Sequence, residues 1–306
     1  ITNSYKQYVL LHLIMKNSAV QSVLLLIVVG SLLLPTVAVN QVLSAQSPPS
    51  STTNSTVLSG DVGIQKGPQL QNKTINYIDG SSGYLVYPNT TNNNTTSTAG
   101  QQQKLPAVVM IHEWWGLNDN IKDMANELAG EGYVVLAADL YNGEVATDPN
   151  RARELSSSVN ENPEQAITNL QSAVQYLASL PNVNSSRIAS LGWCFGGGQS
   201  LQLALHSEQN PLAATIIYYG NLVNDTNELS KINWPVLGIF GDQDQSIPVE
   251  SVDAFEQALN GTGIKNEIYI YPGVGHAFAN PSGDNYAPEE TADAWQKTLT
   301  FLNKYV

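Results

Sequence analysis

The sequence predicts an α/β fold, in which a mostly parallel central sheet is flanked by helices. From Leu105 onward, short apolar segments alternate with helical patterns. These segments are rich in Val, Ile and Leu, which is typical of strands buried on both faces. One strand also runs directly into a helical pattern through a glycine-rich turn around Cys194. The predicted strands are Ala107–Ile111, Tyr133–Ala138, Arg187–Leu191, Ala214–Tyr218, Val236–Phe240 and Glu267–Tyr271. The predicted helices are Ile121–Ala129, Pro163–Leu180, Phe195–Leu205, Val249–Leu259 and Pro288–Asn303.

A β-hairpin is predicted ahead of this alternating region. Thr74–Ile78 and Tyr84–Pro88 have strand-like patterns, and a cluster of turn residues separates them. Turn residues between two such segments are typical of a hairpin. Residues 89–103 are polar and of low complexity, which predicts a mobile loop. We therefore expect one folded domain over residues 68–306.

The N-terminal residues 1–45 have the pattern of a signal peptide or a membrane anchor. Both lysines of this region precede an almost uninterrupted apolar run, Val20–Val39, and no acidic residue occurs before Asp61. Because positive flanks stay on the cytoplasmic side, we expect the rest of the chain to be extracellular or membrane-anchored and facing outside. Two outcomes stay open: cleavage after Ala38 or near Ala45, or retention of roughly twenty apolar residues as an anchor.

Residues 46–67 are predicted to form a disordered linker, because they are rich in Ser, Thr, Asn and Pro. Asn-x-Ser/Thr sequences, which accept N-linked glycans, occur in the linker and throughout the following domain. Their density fits an extracellular surface. They begin at Asn54, Asn72, Asn89, Asn93, Asn94, Asn184, Asn224 and Asn260.

The composition argues against several classes of partner and cofactor. The chain has 13 Lys and Arg against 26 Asp and Glu, which gives a formal net charge of −13. Such a charge repels nucleic acid. The single cysteine excludes an internal disulfide, and the four histidines are scattered, so we expect no metal and no other cofactor. The oligomeric state stays open.

The glycine-rich turn around Cys194 predicts a nucleophile. Gly192, Cys194 and Gly196 form a Gly-x-Cys-x-Gly pattern directly after an apolar strand and directly before a helix. This is the pattern of the nucleophile elbow in α/β-hydrolases, with sulfur in place of the usual serine oxygen. A helix N-terminus favours a thiolate and supplies backbone N–H groups. The alternative is a small buried hydrophobic residue.

A nucleophilic thiol needs a base and an acid that orients the base, and in this fold the acid precedes the histidine. His276 follows the last predicted strand, whereas His206 lies on the helix after Cys194 and is expected to serve packing or the surface. The acid should follow the strand Val236–Phe240, where Asp242 and Asp244 occur. We favour Asp244, although either aspartate could be a turn or capping residue.

Five motifs, in order, resemble those of the dienelactone hydrolase family, and the resemblance extends over about residues 74–306. They occupy residues 111–118, 138–141, 192–197, 241–248 and 275–278. The resemblance implies an α/β-hydrolase fold and a catalytic triad of Cys194, His276 and Asp244.

The resemblance also implies roles for residues on both sides of the triad. Glu113 would be a carboxylate beside the thiol that helps to ionise it when substrate binds. The oxyanion hole would consist of the backbone N–H groups of Trp114 and Phe195. A solvated loop acid is the alternative for Glu113.

The sequence departs from the family where the substrate is held. The family binds a substrate carboxylate with arginines, and the corresponding residues here are Asn142 and Asn280. Because a carboxylate without a cationic partner loses hydration energy, we expect neutral substrates to be preferred. Aromatic residues near the motifs predict an apolar pocket, although core packing is the alternative for at least two of them. These residues are Trp114, Trp115, Tyr141, Trp193 and Phe278.

Together these observations predict an extracytoplasmic hydrolase of small esters or lactones that acts through a thioester on Cys194. A non-catalytic extracellular domain that binds a small molecule on the same fold is the main alternative. A thiol redox sensor ranks last, because the sequence contains no second cysteine that could resolve an oxidised thiol.

Overall fold

The structure is a computed structural model that describes residues 68–78, 80–89 and 104–306. The predicted N-terminal segment, the linker and all but the first residue of the predicted loop lie outside these residues. Within them, no helix has both the length and the apolar character that a membrane span requires.

The sheet has eight strands in the described part of the chain. They are β1 Leu70–Ile78, β2 Ser81–Pro88, β3 Leu105–Ile111, β4 Val134–Ala138, β5 Val183–Trp193, β6 Ala214–Tyr218, β7 Val236–Gly241 and β8 Asn266–Tyr271. Their order across the sheet is β1-β2-β4-β3-β5-β6-β7-β8. The hairpin strands β1 and β2 are antiparallel, β2 also pairs antiparallel with β4, and the pairs that join β3 to β8 are all parallel. This arrangement confirms the predicted α/β fold with a mostly parallel sheet.

The helices agree with the predicted ones except at two places. They are α1 Asp119–Gly130, α2 Pro149–Glu161, α3 Pro163–Ser179, α4 Phe195–Leu205, α5 Thr226–Leu229, α6 Val249–Thr262 and α7 Pro288–Tyr305. The prediction omits α2 and α5. Only Ala152 of α2 is fully buried, and Leu155 and Val159 pack partly buried against the core, so its apolar stripe is narrow. Its sequence signal is the cap, because Asp148 accepts backbone N–H groups and Pro149 occupies the first turn.

Strands β3 and β4 form part of the hydrophobic core together with the helices that cover them. Every residue of β4 is buried, as are the last five residues of β3. Helix α3 adds one apolar face, since its buried residues recur every three or four positions. The buried residues on this face are Ala166, Leu170, Ala173, Val174 and Leu177.

The parallel strands place the chemistry-bearing loops at one edge of the sheet. The carboxyl ends of β3, β4, β5, β7 and β8 all lie at this edge, because the strands are parallel, and ligands of open α/β sheets bind beyond such ends. The residues that follow these strands are 112–118, 139–141, 194–195, 242–248 and 272–280. All five motifs described above therefore converge at this edge.

Candidate active site

Cys194 occupies a strained turn between β5 and α4. Its backbone φ is 54° and its ψ is −119°, a conformation that is costly for a residue with a Cβ atom. The flanking glycines allow this turn to pack closely. A Cβ atom on Gly192 would lie 2.1 Å from the carbonyl oxygen of Gly196, and one on Gly196 would lie 2.3 Å from that of Ile111. The Cys194 N–H donates to the carbonyl of Tyr218 at 3.0 Å, which fixes the turn against β6.

His276 lies between the thiol and a buried carboxylate. Its Nε2 is 3.0 Å from the Sγ of Cys194, and its Nδ1 is 2.8 Å from the Oδ2 of Asp244. The other oxygen of Asp244 accepts the N–H groups of Ser246 at 2.7 Å and Ile247 at 3.0 Å. The carboxylate is thereby fixed by the turn before α6, and it in turn orients the imidazole ring. The chain of contacts has the geometry of a nucleophile, a base and an orienting acid.

The other candidate acid and the other candidate base lie elsewhere. Asp242 is exposed, and its carboxylate accepts the N–H of Gly273 at 2.7 Å, which ties together the loops after β7 and β8. His206 is exposed at the end of α4, with its Nδ1 2.8 Å from the carbonyl of Gln202. Both are therefore structural or surface residues, as the sequence suggested for His206.

The electrostatics of His276 and Asp244 favour an imidazolium beside a carboxylate. Burial lowers the pKa of His276, but the hydrogen bonds to Asp244 and Cys194 outweigh it and raise the pKa to about 10. Burial raises the pKa of Asp244, but the hydrogen bonds from His276 and the two backbone N–H groups bring it below its usual value. A protonated ring next to the sulfur stabilises negative charge on it.

Glu113 is a buried carboxyl group that no cation neutralises directly. It follows β3, is only 3% exposed, and accepts the side-chain N–H of Asn280 at 2.5 Å. Burial raises its pKa to about 7, although the charge of His276 and the hydrogen bond from Asn280 oppose this shift. No Lys or Arg of the described chain contributes to the shift. The group is thus able to gain or lose a proton near neutral pH.

Two backbone N–H groups, in the loop after β3 and at the start of α4, have no backbone acceptor in the described part of the chain. Phe195 is the first residue of α4, so its N–H has no acceptor within the helix. The Trp114 N–H has no backbone acceptor among residues 68–78, 80–89 and 104–306. These are the two groups that the sequence suggested for an oxyanion hole.

The aromatic residues predicted to line a pocket fall into two groups. Trp114 and Trp115 are half-buried, and their rings meet edge to face at 5.0 Å. Tyr141 is buried against Phe195, with ring centroids 5.7 Å apart. The other two pack in the core: Trp193 lies 5.4 Å from Tyr218, and Phe278 contacts both Tyr219 and Tyr271. Contact between any of these rings and a substrate stays a prediction.

The two asparagines predicted to line the substrate site, Asn142 and Asn280, have different surroundings. Asn280 is buried and contacts Glu113, as described above. Asn142 is exposed, has a backbone φ of 53°, and lies in a groove beside the turn of the β1–β2 hairpin. The structure therefore brings Asn280 to the carboxyl group of the site and places Asn142 at the hairpin groove.

Two buried residues of this region received no role from the sequence. The ring of Tyr219 lies 5.3 Å from that of His276, and its backbone φ of 35° is unusual for a residue with a side chain. His112 precedes Glu113 and is fully buried. The sequence signal for Tyr219 is its place directly after β6, whereas His112 follows β3 and lies within the first of the five motifs.

Comparison with known proteins identifies the family. Residues 94–306 match the model of the dienelactone hydrolase family. The chain belongs to the dienelactone hydrolase family. A Saccharolobus solfataricus protein with the provisional name carboxymethylenebutenolidase is 32% identical over 235 residues, which cover 65% of this chain and 89% of the relative. A Salmonella typhimurium protein with the same provisional name is 35% identical over 214 residues, which cover 66% and 78% of the two chains.

Solved structures agree with this assignment. A Klebsiella pneumoniae structure provisionally described as a dienelactone hydrolase matches 78% of this chain and all of its own, with a TM-score of 0.64 and 26% identity. The resemblance drawn from the five motifs is thereby confirmed. As a member of this family, the protein is a hydrolase of ester or lactone bonds.

Proposed function

We propose that this hydrolase cleaves small uncharged esters or lactones through a thioester on Cys194, and that it acts outside the cytoplasm. The observation that carries the mechanism is the continuous chain of contacts from the Cys194 sulfur to His276 and Asp244, at 3.0 Å and 2.8 Å. No other cysteine is present in the sequence, so a thiol mechanism must use this residue.

The first half of the reaction forms the thioester. The Cys194 thiolate attacks the carbonyl carbon, and the N–H groups of Trp114 and Phe195 donate to the resulting oxyanion. When the tetrahedral intermediate collapses, the bond to the alkoxide breaks and the His276 imidazolium gives the alkoxide its proton. In a lactone the alcohol stays part of the acyl group.

The second half releases the acid and restores the enzyme. Neutral His276 accepts a proton from water as the water oxygen attacks the thioester carbonyl. A second oxyanion collapses, the carbon–sulfur bond breaks, and the thiolate is regenerated beside the imidazolium. Asp244 stays ionised throughout and holds the ring so that Nε2 faces the sulfur. Ionised Glu113, whose pKa is about 7, attracts the positive charge of His276 and so helps to keep the thiol proton on the ring.

The preference for uncharged substrates follows from the charges around the site. Glu113 and Asp244 are both buried acids, and the polar partner of Glu113 is the neutral amide of Asn280. Asn142 is also uncharged, and the chain carries a net charge of −13. An anionic substrate would enter this region without the cations that compensate its lost hydration.

The extracytoplasmic location rests on the sequence of residues 1–45, in which two lysines precede the apolar run. The test is protease treatment of whole cells that express the full chain. Degradation of the domain from outside is expected, and a domain protected until the cells are lysed would contradict the proposed location.

The mechanism is tested with Cys194→Ala and an activated aryl ester. We expect hydrolysis to be lost while the thermal unfolding temperature is retained, because the thiol supplies the bond to the acyl group. In the wild type, acid quenching during turnover should trap one acyl group on the peptide that contains Cys194, detected by mass spectrometry. Substantial activity in the alanine variant would contradict the proposed nucleophile. A wild-type protein that binds the ester without turnover would favour the binding-domain alternative.

A further inference from the structure

The fully buried histidine that precedes Glu113 has hydrogen bonds that define its tautomer. The Leu140 N–H donates to Nε2 of His112 at 3.1 Å, so this nitrogen must be the acceptor. Nδ1 therefore carries the proton, and it donates to the carbonyl oxygen of Glu113 at 2.6 Å. Burial lowers the pKa of His112, which keeps the ring neutral and preserves this pattern.

The carbonyl of Glu113 and the N–H of Trp114 belong to the same peptide group. In a trans peptide these two groups point in opposite directions, and the described chain contains no cis peptide bond. Fixing the carbonyl therefore fixes the direction of the N–H. Two donors hold this carbonyl: His112 Nδ1 and, at 3.2 Å, the N–H of Gly116.

The same ring also contacts the residue that supplies the second candidate donor. The imidazole of His112 stacks on the ring of Phe195, with centroids 5.9 Å apart and planes inclined by 23°. Gly196 brings the backbone of α4 against the end of β3, since a Cβ atom there would lie 2.4 Å from the carbonyl oxygen of His112. His112 thus connects the two peptide segments that carry the free N–H groups.

We propose that His112 is a positioning residue for the oxyanion hole: its Nδ1–H holds the Glu113 carbonyl so that the Trp114 N–H faces the acyl carbonyl of the substrate. This role rests on the proposed thioester mechanism, because the oxyanion forms when Cys194 attacks. His112 itself does not touch the reacting atoms.

The test compares two substitutions that differ in one hydrogen bond. His112→Leu and His112→Asn both remove the acceptor of the Leu140 N–H, but only asparagine keeps a donor near the position of Nδ1. Loss of a complete oxyanion donor lowers kcat by about 10²–10³-fold. Because Gly116 still holds the carbonyl, we expect kcat of His112→Leu on an aryl ester to fall by about tenfold to a hundredfold, with KM little changed. His112→Asn should recover most of the loss.

Alkylation of Cys194 by iodoacetamide separates this role from a general effect on the site. Alkylation needs the thiolate but forms no oxyanion, so its rate in His112→Leu should stay within about twofold of the wild type. Equal losses of hydrolysis in the two variants, a proportional loss of alkylation, or no loss of hydrolysis would each overturn the proposal. Activity in Cys194→Ala would instead contradict the thioester mechanism, so the two failures are distinguishable.

A measurement on the wild-type protein covers the case in which His112→Leu does not fold. ¹⁵N spectra of histidine-labelled enzyme near neutral pH should show one buried ring protonated on Nδ1 and unprotonated on Nε2, and the resonance should be absent from His112→Asn. A ring protonated on Nε2 could not donate to Glu113, and that result would overturn the proposal.

Discussion

The two sides of the candidate site are built in different ways. On the side of β7 and β8, the proposed reacting groups are side chains that satisfy one another: Asp244 orients His276, and His276 contacts the Cys194 sulfur. On the side of β3 and α4, the proposed oxyanion donors are backbone N–H groups, those of Trp114 and Phe195. Side chains act there by holding peptide groups in place.

This difference predicts how each side responds to substitution. The acid–base half consists of Asp244, His276 and Cys194. No other side chain can replace one of these three, so removing any of them should cost most of the activity. In the oxyanion half, the side chains of Trp114 and Phe195 can change as long as the peptide groups keep their direction. Effects there should be smaller and should depend on whether a hydrogen bond to the peptide is kept.

The largest effect is expected from Asp244→Asn, which tests the acid–base half directly. The asparagine amide can no longer stabilise a charged His276 and favours the wrong tautomer of the ring, and a comparable change in a serine triad costs about 10⁴-fold in kcat. We expect a loss of about 10³–10⁴-fold in kcat/KM on an aryl ester, measured by steady-state kinetics.

Asp242→Asn is the matched control, two residues away in the same loop. Its carboxylate holds the N–H of Gly273, and an asparagine oxygen is still able to accept that N–H. Activity should stay within a few-fold of the wild type. The opposite ranking of the two variants would show that the hydrogen bond between Asp244 and His276 does not carry the function.

Side-chain patterns could be predicted from the sequence, whereas contacts between distant loops and the directions of peptide groups could not. The strands, most helices and the places of Cys194 and His276 follow from apolar periodicity and from glycines that only a tight turn requires. The contact between Asn280 and Glu113 could not be predicted, because it joins loops far apart in the chain. The direction of the Glu113–Trp114 peptide has no signal in residue identity at all. Helix α2 was missed because it buries little apolar surface.

A smaller effect is expected in the pH dependence of stability, and it tests how Glu113 is held. The pKa of this group is raised from 4.5 to about 7 in the folded protein, so the folded state binds more protons than the unfolded state between these values. Wild-type stability should therefore lose a contribution from Glu113 as the pH rises through this window. Glu113→Gln, which resembles the neutral acid and still accepts from Asn280, should lack this loss.

The measurement is urea unfolding of both proteins at pH 5 and at pH 7.5. The stability of Glu113→Gln relative to the wild type should increase between these pH values by on the order of 2 kcal/mol. The pKa of His276 is about 10 in the folded protein, so the ring stays protonated in the folded state of both proteins over this range and contributes little to the difference. A constant difference across this range would show that the Glu113 carboxyl group is already ionised at pH 5. A positive charge, in addition to the hydrogen bond from Asn280, would then have to stabilise the carboxylate.

The last prediction concerns the charge of the substrate, and it uses the difference between Asn280 and Asn142. A charge-assisted hydrogen bond is worth about 1.5–3 kcal/mol, which corresponds to roughly tenfold to a hundredfold in rate. Because neither Asn142 nor Asn280 supplies a cation for a substrate carboxylate, a neutral lactone should have a higher kcat/KM than the same lactone with a free carboxylate, and the ratio should approach these values at neutral pH. Asn280→Arg places a cation beside Glu113 and should move the ratio toward the anionic lactone. Residue 142 lies at the hairpin groove, so the change in this ratio caused by Asn142→Arg measures whether that groove forms part of the substrate path.

If the unmodified protein preferred the carboxylate, a cation from another loop, such as Arg151, Arg153 or Lys265, would have to reach the site. If Asn280→Arg left the ratio unchanged, the side of the site near Glu113 would not face the substrate.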